Sequence, residues 1–132
     1  MSKKYIYLIF RIIIKEYDNG KYIGEWKNDK KEGKGIYYSN NGKWKGDRYE
    51  GDYKNGNPEG KGIYYYINGD RYEGDLKNDK AEGKGIYYYN NGDRYEGDWK
   101  NGKREGKGIF YYNNGDKEIG QYMNGYEIDI QS

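Results

Sequence analysis

At 132 residues the chain has room for one domain or one repeat array, but not for two large cores. Hydrophobic residues make up 33%, most of them among the 20 tyrosines; valine is absent and Ala81 is the single alanine, so an ordinary aliphatic core is excluded. The 24 basic and 22 acidic residues nearly balance, which gives no bulk attraction to nucleic acid, and the absence of Cys, His and Thr excludes disulfides, Ser–His or Cys–His nucleophiles and His/Cys zinc sites.

The first segment, "MSKKYIYLIFRIIIKEY", carries an apolar run from Tyr5 to Ile14 that contains Arg11. The run is too short to span a bilayer as a helix, and no small-residue cleavage site marks a signal peptide. Its Ile- and Tyr-rich composition predicts a first strand over residues 1–16, capping a sheet edge, with an array over 17–132. A shallow membrane anchor helped by Lys3 and Lys4 is the lesser alternative.

The array follows. "YIGEWKNDKKEGKGIYYSNNG" starts at Tyr22, and an insert, "KWKG" from Lys43 to Gly46, separates it from the next copy. "YEGDYKNGNPEGKGIYYYINGDR", "YEGDLKNDKAEGKGIYYYNNGDR" and "YEGDWKNGKREGKGIFYYNNGDK" then start at Tyr49, Tyr72 and Tyr95, 23 residues apart. "EIGQYMNG" from Glu118 is a decayed partial copy. In "YEGDW" Tyr95, Gly97 and Trp99 alternate with Glu96 and Asp98, the period of a strand. "KNGKRE" reads as a polar turn, "GKGIFYY" as a second strand and "NNGDK" as a second turn, with no helical period anywhere. The fold expected is all-β: a single-layer antiparallel β-meander of consecutive hairpins, twisted and curved.

Two glycines per strand pair weaken a strand unless something fills the space they leave. Pairing Trp99 with Gly108 predicts Gly97 opposite Phe110 and Tyr95 opposite Tyr112, with Phe110 also beside Gly120 and Tyr87 between Gly74 and Gly97. Each second-strand ring then lies over bare backbone on both sides, and the glycines are sockets for rings. The same register sets Lys27, Lys54, Lys77 and Lys100 opposite Lys34, Lys61, Lys84 and Lys107, a lysine row on the other face that suits an anionic phospholipid surface or an acidic segment. The plainer alternative is solvated lysines neutralised by Asp52, Asp75 and Asp98. Beside the row run Ile36, Ile63, Ile86 and Ile109, then Tyr38, Tyr65, Tyr88 and Tyr111, aligned for a protein segment lying along the sheet. Strand preference of tyrosine, a dimer mate or an AT-rich genome would explain the same column.

Carboxylate pairs such as Glu50/Asp52 recur in every copy, whereas a catalytic pair is usually unique. "NNGDRYEGD" has calcium-ligand residue types without EF-hand spacing, and Asn-Gly is ordinary turn chemistry. No G-x-x-x-x-G-K-[ST] occurs. No enzyme activity, metal or cofactor is expected.

The unit YEGDW-KNGKREGKGIFYYNNGDK resembles the MORN (membrane occupation and recognition nexus) repeat in length, in its Y-x-G-[DE]-[WY] opening and in its G-x-G pair before aromatics. The resemblance covers Tyr17 to about Gly125. It departs at Glu32, Glu59, Glu82 and Glu105, where the family often has histidine, and at Leu76 in the slot of Trp26, Tyr53 and Trp99. Bacterial antitoxin-like repeats share "KNG" and "EG" but lack the G-x-G pair. The resemblance implies a scaffold at membranes or cytoskeletal structures, with peptide binding in the groove of a curved sheet and dimerisation among some members. It also implies that any catalytic part would lie on an attached domain. The expectation is therefore a cytoplasmic protein, peripheral to a membrane or the cytoskeleton, that binds an unidentified protein partner, with anionic lipid as the alternative and self-association through open sheet edges.

Overall fold

Inside each repeat two residues reverse the chain. Asn55 and Gly56 have φ of 51° and 89°, and Asn101 and Gly102 have 51° and 81°. Positive φ at both central positions defines the type I′ hairpin turn, whose twist matches that of the flanking strands. The turn expected as six polar residues is therefore two, and the residues around it belong to strands. The computed structural model describes residues 11–42 and 45–128.

The strands are β1 (Arg11–Tyr17), β2 (Gly20–Lys27), β3 (Lys30–Ser39), β4 (Arg48–Lys54), β5 (Asn57–Tyr65) and β6 (Arg71–Lys77). β7 (Lys80–Tyr88), β8 (Arg94–Lys100), β9 (Lys103–Tyr111), β10 (Lys117–Met123) and β11 (Tyr126–Ile128) follow. Among the described residues they form one 11-stranded antiparallel sheet in sequence order. At ~4.8 Å per strand the sheet spans roughly 50 Å. Among the described residues β1 is an edge strand; residues 1–10 of the predicted first strand, with Lys3 and Lys4 of the anchor reading, and Lys43 and Trp44 of the insert lie outside the described residues.

The register differs from the predicted one by two residues. Gly97 pairs with Gly108 and Tyr95 with Phe110, while Gly108 pairs in turn with Gly120. Trp99 faces Arg104, because between Gly97 and Trp99 one residue of β8 stands against three of β9. The same bulge recurs in the other three copies. Glycine thus pairs with glycine in an unbroken row from β2 to β10, and the ring that fills each gap is not the expected one. It is the opening tyrosine of the copy. A Cβ at Gly62 would fall within the ring of Tyr49, one at Gly85 within Tyr72, and one at Gly108 within Tyr95. Tyr87 and Phe110 instead pair with Tyr72 and Tyr95, beside the sockets.

These socket tyrosines are the core: Tyr22, Tyr49, Tyr72 and Tyr95 are 0–3% exposed. Each buried hydroxyl keeps a partner, since Tyr49 and Tyr72 donate to the backbone oxygens of Asp52 and Asp75 at 2.7 Å. Burial pushes their phenols up, that of Tyr22 to about 12. The slot aromatic joins neighbouring copies edge-on: Tyr53 lies 5.1 and 5.2 Å from Tyr22 and Tyr49, and Trp99 lies 5.2 and 5.4 Å from Tyr72 and Tyr95. Leu76, buried against Ala81, fills that slot in the third copy.

Two glycine substitutions separate space from backbone strain. Gly85→Ala drives a methyl into the Tyr72 ring and should cost about 1–3 kcal/mol. Gly102→Ala meets nothing within 4 Å but must hold φ 81°, and should cost about 1–2 kcal/mol. Urea unfolding followed by tyrosine fluorescence measures both; only Gly85→Ala should also loosen the Tyr72 ring environment in near-UV circular dichroism.

Candidate functional site

The sheet has two unlike faces. On the face opposite the rings, three rows of side chains run across the strands. In the first, Lys34 pairs with Asp52, Lys61 with Asp75 and Lys84 with Asp98, each as an ion pair, and Lys107 faces Gln121. The lysine-against-lysine pairing expected there is absent: Lys54 faces Asn57 at the hairpin end, and Lys27, Lys77 and Lys100 face Lys30, Lys80 and Lys103 beside the turns. The two-residue turn moves each lysine past its predicted partner, and the bulge aspartate takes the place.

The second row alternates Ile36, Glu50, Ile63, Glu73, Ile86, Glu96 and Ile109. The third alternates tyrosine and arginine: the guanidinium carbons of Arg48, Arg71 and Arg94 lie 4.1, 3.9 and 3.8 Å from the ring centres of Tyr65, Tyr88 and Tyr111. Arg94 also reaches Glu96 at 3.0 Å. Tyr38, 38% exposed, faces Lys21 and Arg48. The predicted Ile and Tyr columns are therefore half-covered, interleaved with charges that already have partners.

The acids have structural work. Asp52 and Asp75 accept from the backbone N–H of Lys61 and Lys84 at 3.1 Å across the bulge. Glu32, Glu59, Glu82 and Glu105 reach the next copy, accepting from the turn amides of Asn55, Asn78, Asn101 and Asn124 at 2.9–3.4 Å. The Asn and Asp residues of the inter-copy loops stack likewise: Asp70 and Asp93 accept from the amides of Asn90 and Asn113 at 2.8 Å. Among the described residues no acidic group is arranged to hold a metal ion.

The aromatic face carries a groove of about 560 Å³, lined by Tyr53, Tyr64, Tyr66, Tyr72, Leu76, Tyr87 and Trp99, with Pro58 and Ala81 on its turn side. Tyr64 and Tyr66 stack at 6.2 Å, and Tyr66 continues to Tyr87 at 5.9 Å. Lys31 and Asp79 also line it. Sequence reasoning passed over both. The available signal was comparison of the copies at the turn, where Asp29 and Asp79 stand in place of Gly56 and Gly102, and Lys31 in place of Pro58 and Ala81.

A single open sheet of stacked hairpins, cored by its own rings and grooved on that face, defines an elongated β-repeat protein. The MORN repeat pattern matches residues 22–44, 49–71, 72–94 and 95–117. The chain belongs to the MORN repeat family, a non-catalytic repeat type generally used for protein or membrane interaction. A search of curated proteins finds no match. Among the described residues no helix is long and apolar enough to cross a membrane.

The ladder of Lys–Asp pairs on the face opposite the rings makes stability pH-dependent. Its bond from Lys61 comes first among the causes holding the Asp75 carboxyl below its ordinary value; for Asp52, burial pushes up but the Lys34 and Lys61 donors prevail. A depressed native pKa gives stability that is present above the unfolded value near 4 and lost as pH falls through the native value. The thermal midpoint should therefore drop on acidification below about pH 4, and Asp52→Asn with Asp75→Asn should flatten that drop while lowering the midpoint at pH 7. Melting curves followed by circular dichroism across that range would show an undiminished acid slope in the double variant if other carboxylates govern it.

Proposed function

We propose that this chain is a non-catalytic scaffold that binds a protein segment in the groove of its aromatic face. One observation carries the reading: the rings of Tyr64, Tyr66 and Tyr87 are only partly covered by the sheet and line an open groove. Rigid aromatic side chains give large contact area at small entropic cost, and they dominate the energetics of protein interfaces. The opposite face supports the same choice, since its Lys–Asp and Arg–Tyr rows find partners within the chain. The acids of the repeat are occupied at bulges and turns, which favours a binding role over acid–base chemistry.

An anionic membrane surface is the alternative, and the ladder weighs against it. An exposed Lys–Asp pair is worth about 0.2–1 kcal/mol and is neutral at a distance. Once a partner is captured and purified, Tyr64→Ala with Tyr66→Ala should weaken it by about a hundredfold, whereas Tyr65→Ala with Tyr88→Ala should change affinity less than threefold or so. Vesicles rich in phosphatidylserine should bind weakly, with little further loss when Lys54, Lys61, Lys77 and Lys84 become Gln. Tight vesicle binding abolished by those changes would move the function to the other face.

A further inference from the structure

The groove is not uniform along the array, and its differences fall at the turns. At each end the chain supplies a cation to its own rings. Lys31 Nζ lies 4.8–5.8 Å from the ring centres of Tyr17, Tyr22, Tyr37 and Tyr53. The Arg104 guanidinium lies 5.3 and 4.7 Å from those of Tyr95 and Tyr122. In the second and third copies the equivalent positions, opposite Tyr53 and Leu76, hold Pro58 and Ala81. Tyr49 and Tyr72 there are covered by neighbouring rings, and among the described residues no cation lies over the half-covered Tyr64, Tyr66 or Tyr87. The centre of the groove thus keeps half-covered rings without the cation found at both ends.

Asp79 stands at this uncapped centre. It holds the second turn position at φ 66°, where Gly56, Gly102 and Gly125 serve in other hairpins. Its carboxylate accepts the hydroxyl of Tyr64, and its charge is felt at Tyr49 and Tyr53. One side is open to solvent; on the other the groove walls crowd it, and burial pushes its carboxyl up against the opposing charge of Lys31. Lys31 and Lys80 line the same groove, yet Asp79 makes no ion pair among the described residues. Ring faces attract a cation through their quadrupole, and a crowded carboxylate attracts one through charge and hydrogen bonding. Both point to one ligand chemistry.

We propose that the centre of the groove recognises a basic side chain, Lys or Arg, of the bound protein segment, its head on Asp79 beside Tyr64 and its apolar neighbours over Pro58 and Ala81. The proposal rests on the groove being the binding face. It assigns Asp79 a purpose that explains its presence where glycine serves the turn equally well.

Selection of a random linear peptide library displayed on phage against the full chain tests both layers. Peptides that bind the parent but not the Tyr64→Ala, Tyr66→Ala variant should be enriched in one Lys or Arg flanked by apolar residues. Replacing that residue by Gln in the peptide, or Asp79→Gly in the protein, should each weaken binding about ten- to a hundredfold, and the two changes together should cost little more than one. Asp79→Gly retains the fold because glycine occupies the same turn position elsewhere in the array, and Asp29→Gly, in the first copy, should leave binding unchanged. Groove-dependent peptides that carry acidic residues, or that are indifferent to Asp79→Gly, would overturn the assignment of Asp79 and leave the groove standing. Recovery of no groove-dependent peptide would remove both.

Discussion

A tyrosine ring laid over two glycines on adjoining strands supplies the core that this composition otherwise lacks. The pair Gly51–Gly62 leaves a gap in the pleated surface, and the ring of Tyr49 closes it. Phenylalanine would fill the gap equally well, but it could not hydrogen-bond the Asp52 backbone oxygen freed where the bulge breaks the ladder. Burying a large ring contributes about 1.5–3 kcal/mol, and no single hairpin could keep one dry. The edge-on contacts of Tyr53 and Trp99 each span two copies, so a unit gains its core only when its neighbours are present.

The charged residues follow from the same constraint. A ring over paired glycines needs the backbones in tight register, and the bulge next to it breaks that register in every copy. The bulge acid restores it, by bonding the amide of the second strand and the lysine of the preceding copy. The glutamate of "EGKG" performs the parallel task at the turn of the following copy. A chain that is 35% charged is thus stitched by its charges on one face as it is by rings on the other.

Period, strand type and face were legible from the residues because a hairpin array repeats them with fixed spacing. The idea that glycines receive rings was legible as well, since nothing else explains two glycines among β-formers. The register was not. Treating "KNGKRE" as a loop displaced the pairing by two residues, and an even displacement preserves the faces while exchanging the partners. That is why the rings were assigned to the correct side but the socket to Phe110 rather than Tyr95. Asn-Gly between alternating residues signals a two-residue I′ turn; applied to Asn101 and Gly102 it sets Lys100 against Lys103 directly. The bulge could not have been read this way, because it depends on where the Asp98 carboxylate and the ring of Tyr95 fit once the sheet has formed.

In such an array whatever recurs in every copy answers to the shared task of stacking. The lysines Lys34, Lys61 and Lys84, the bulge aspartates that pair with them and the outer tyrosines Tyr65, Tyr88 and Tyr111 recur, and each has a partner inside the chain. A surface built only of repeating elements would offer a partner several equivalent positions and fix none of them. Registering a bound segment requires a residue that occurs at one place along the groove. Lys31, Pro58, Ala81 and Arg104 occupy one column with four different side chains, and Asp79 lies beside the two that place no cation on the rings. The uniform rows make the sheet, and the uneven column gives it a direction and a centre.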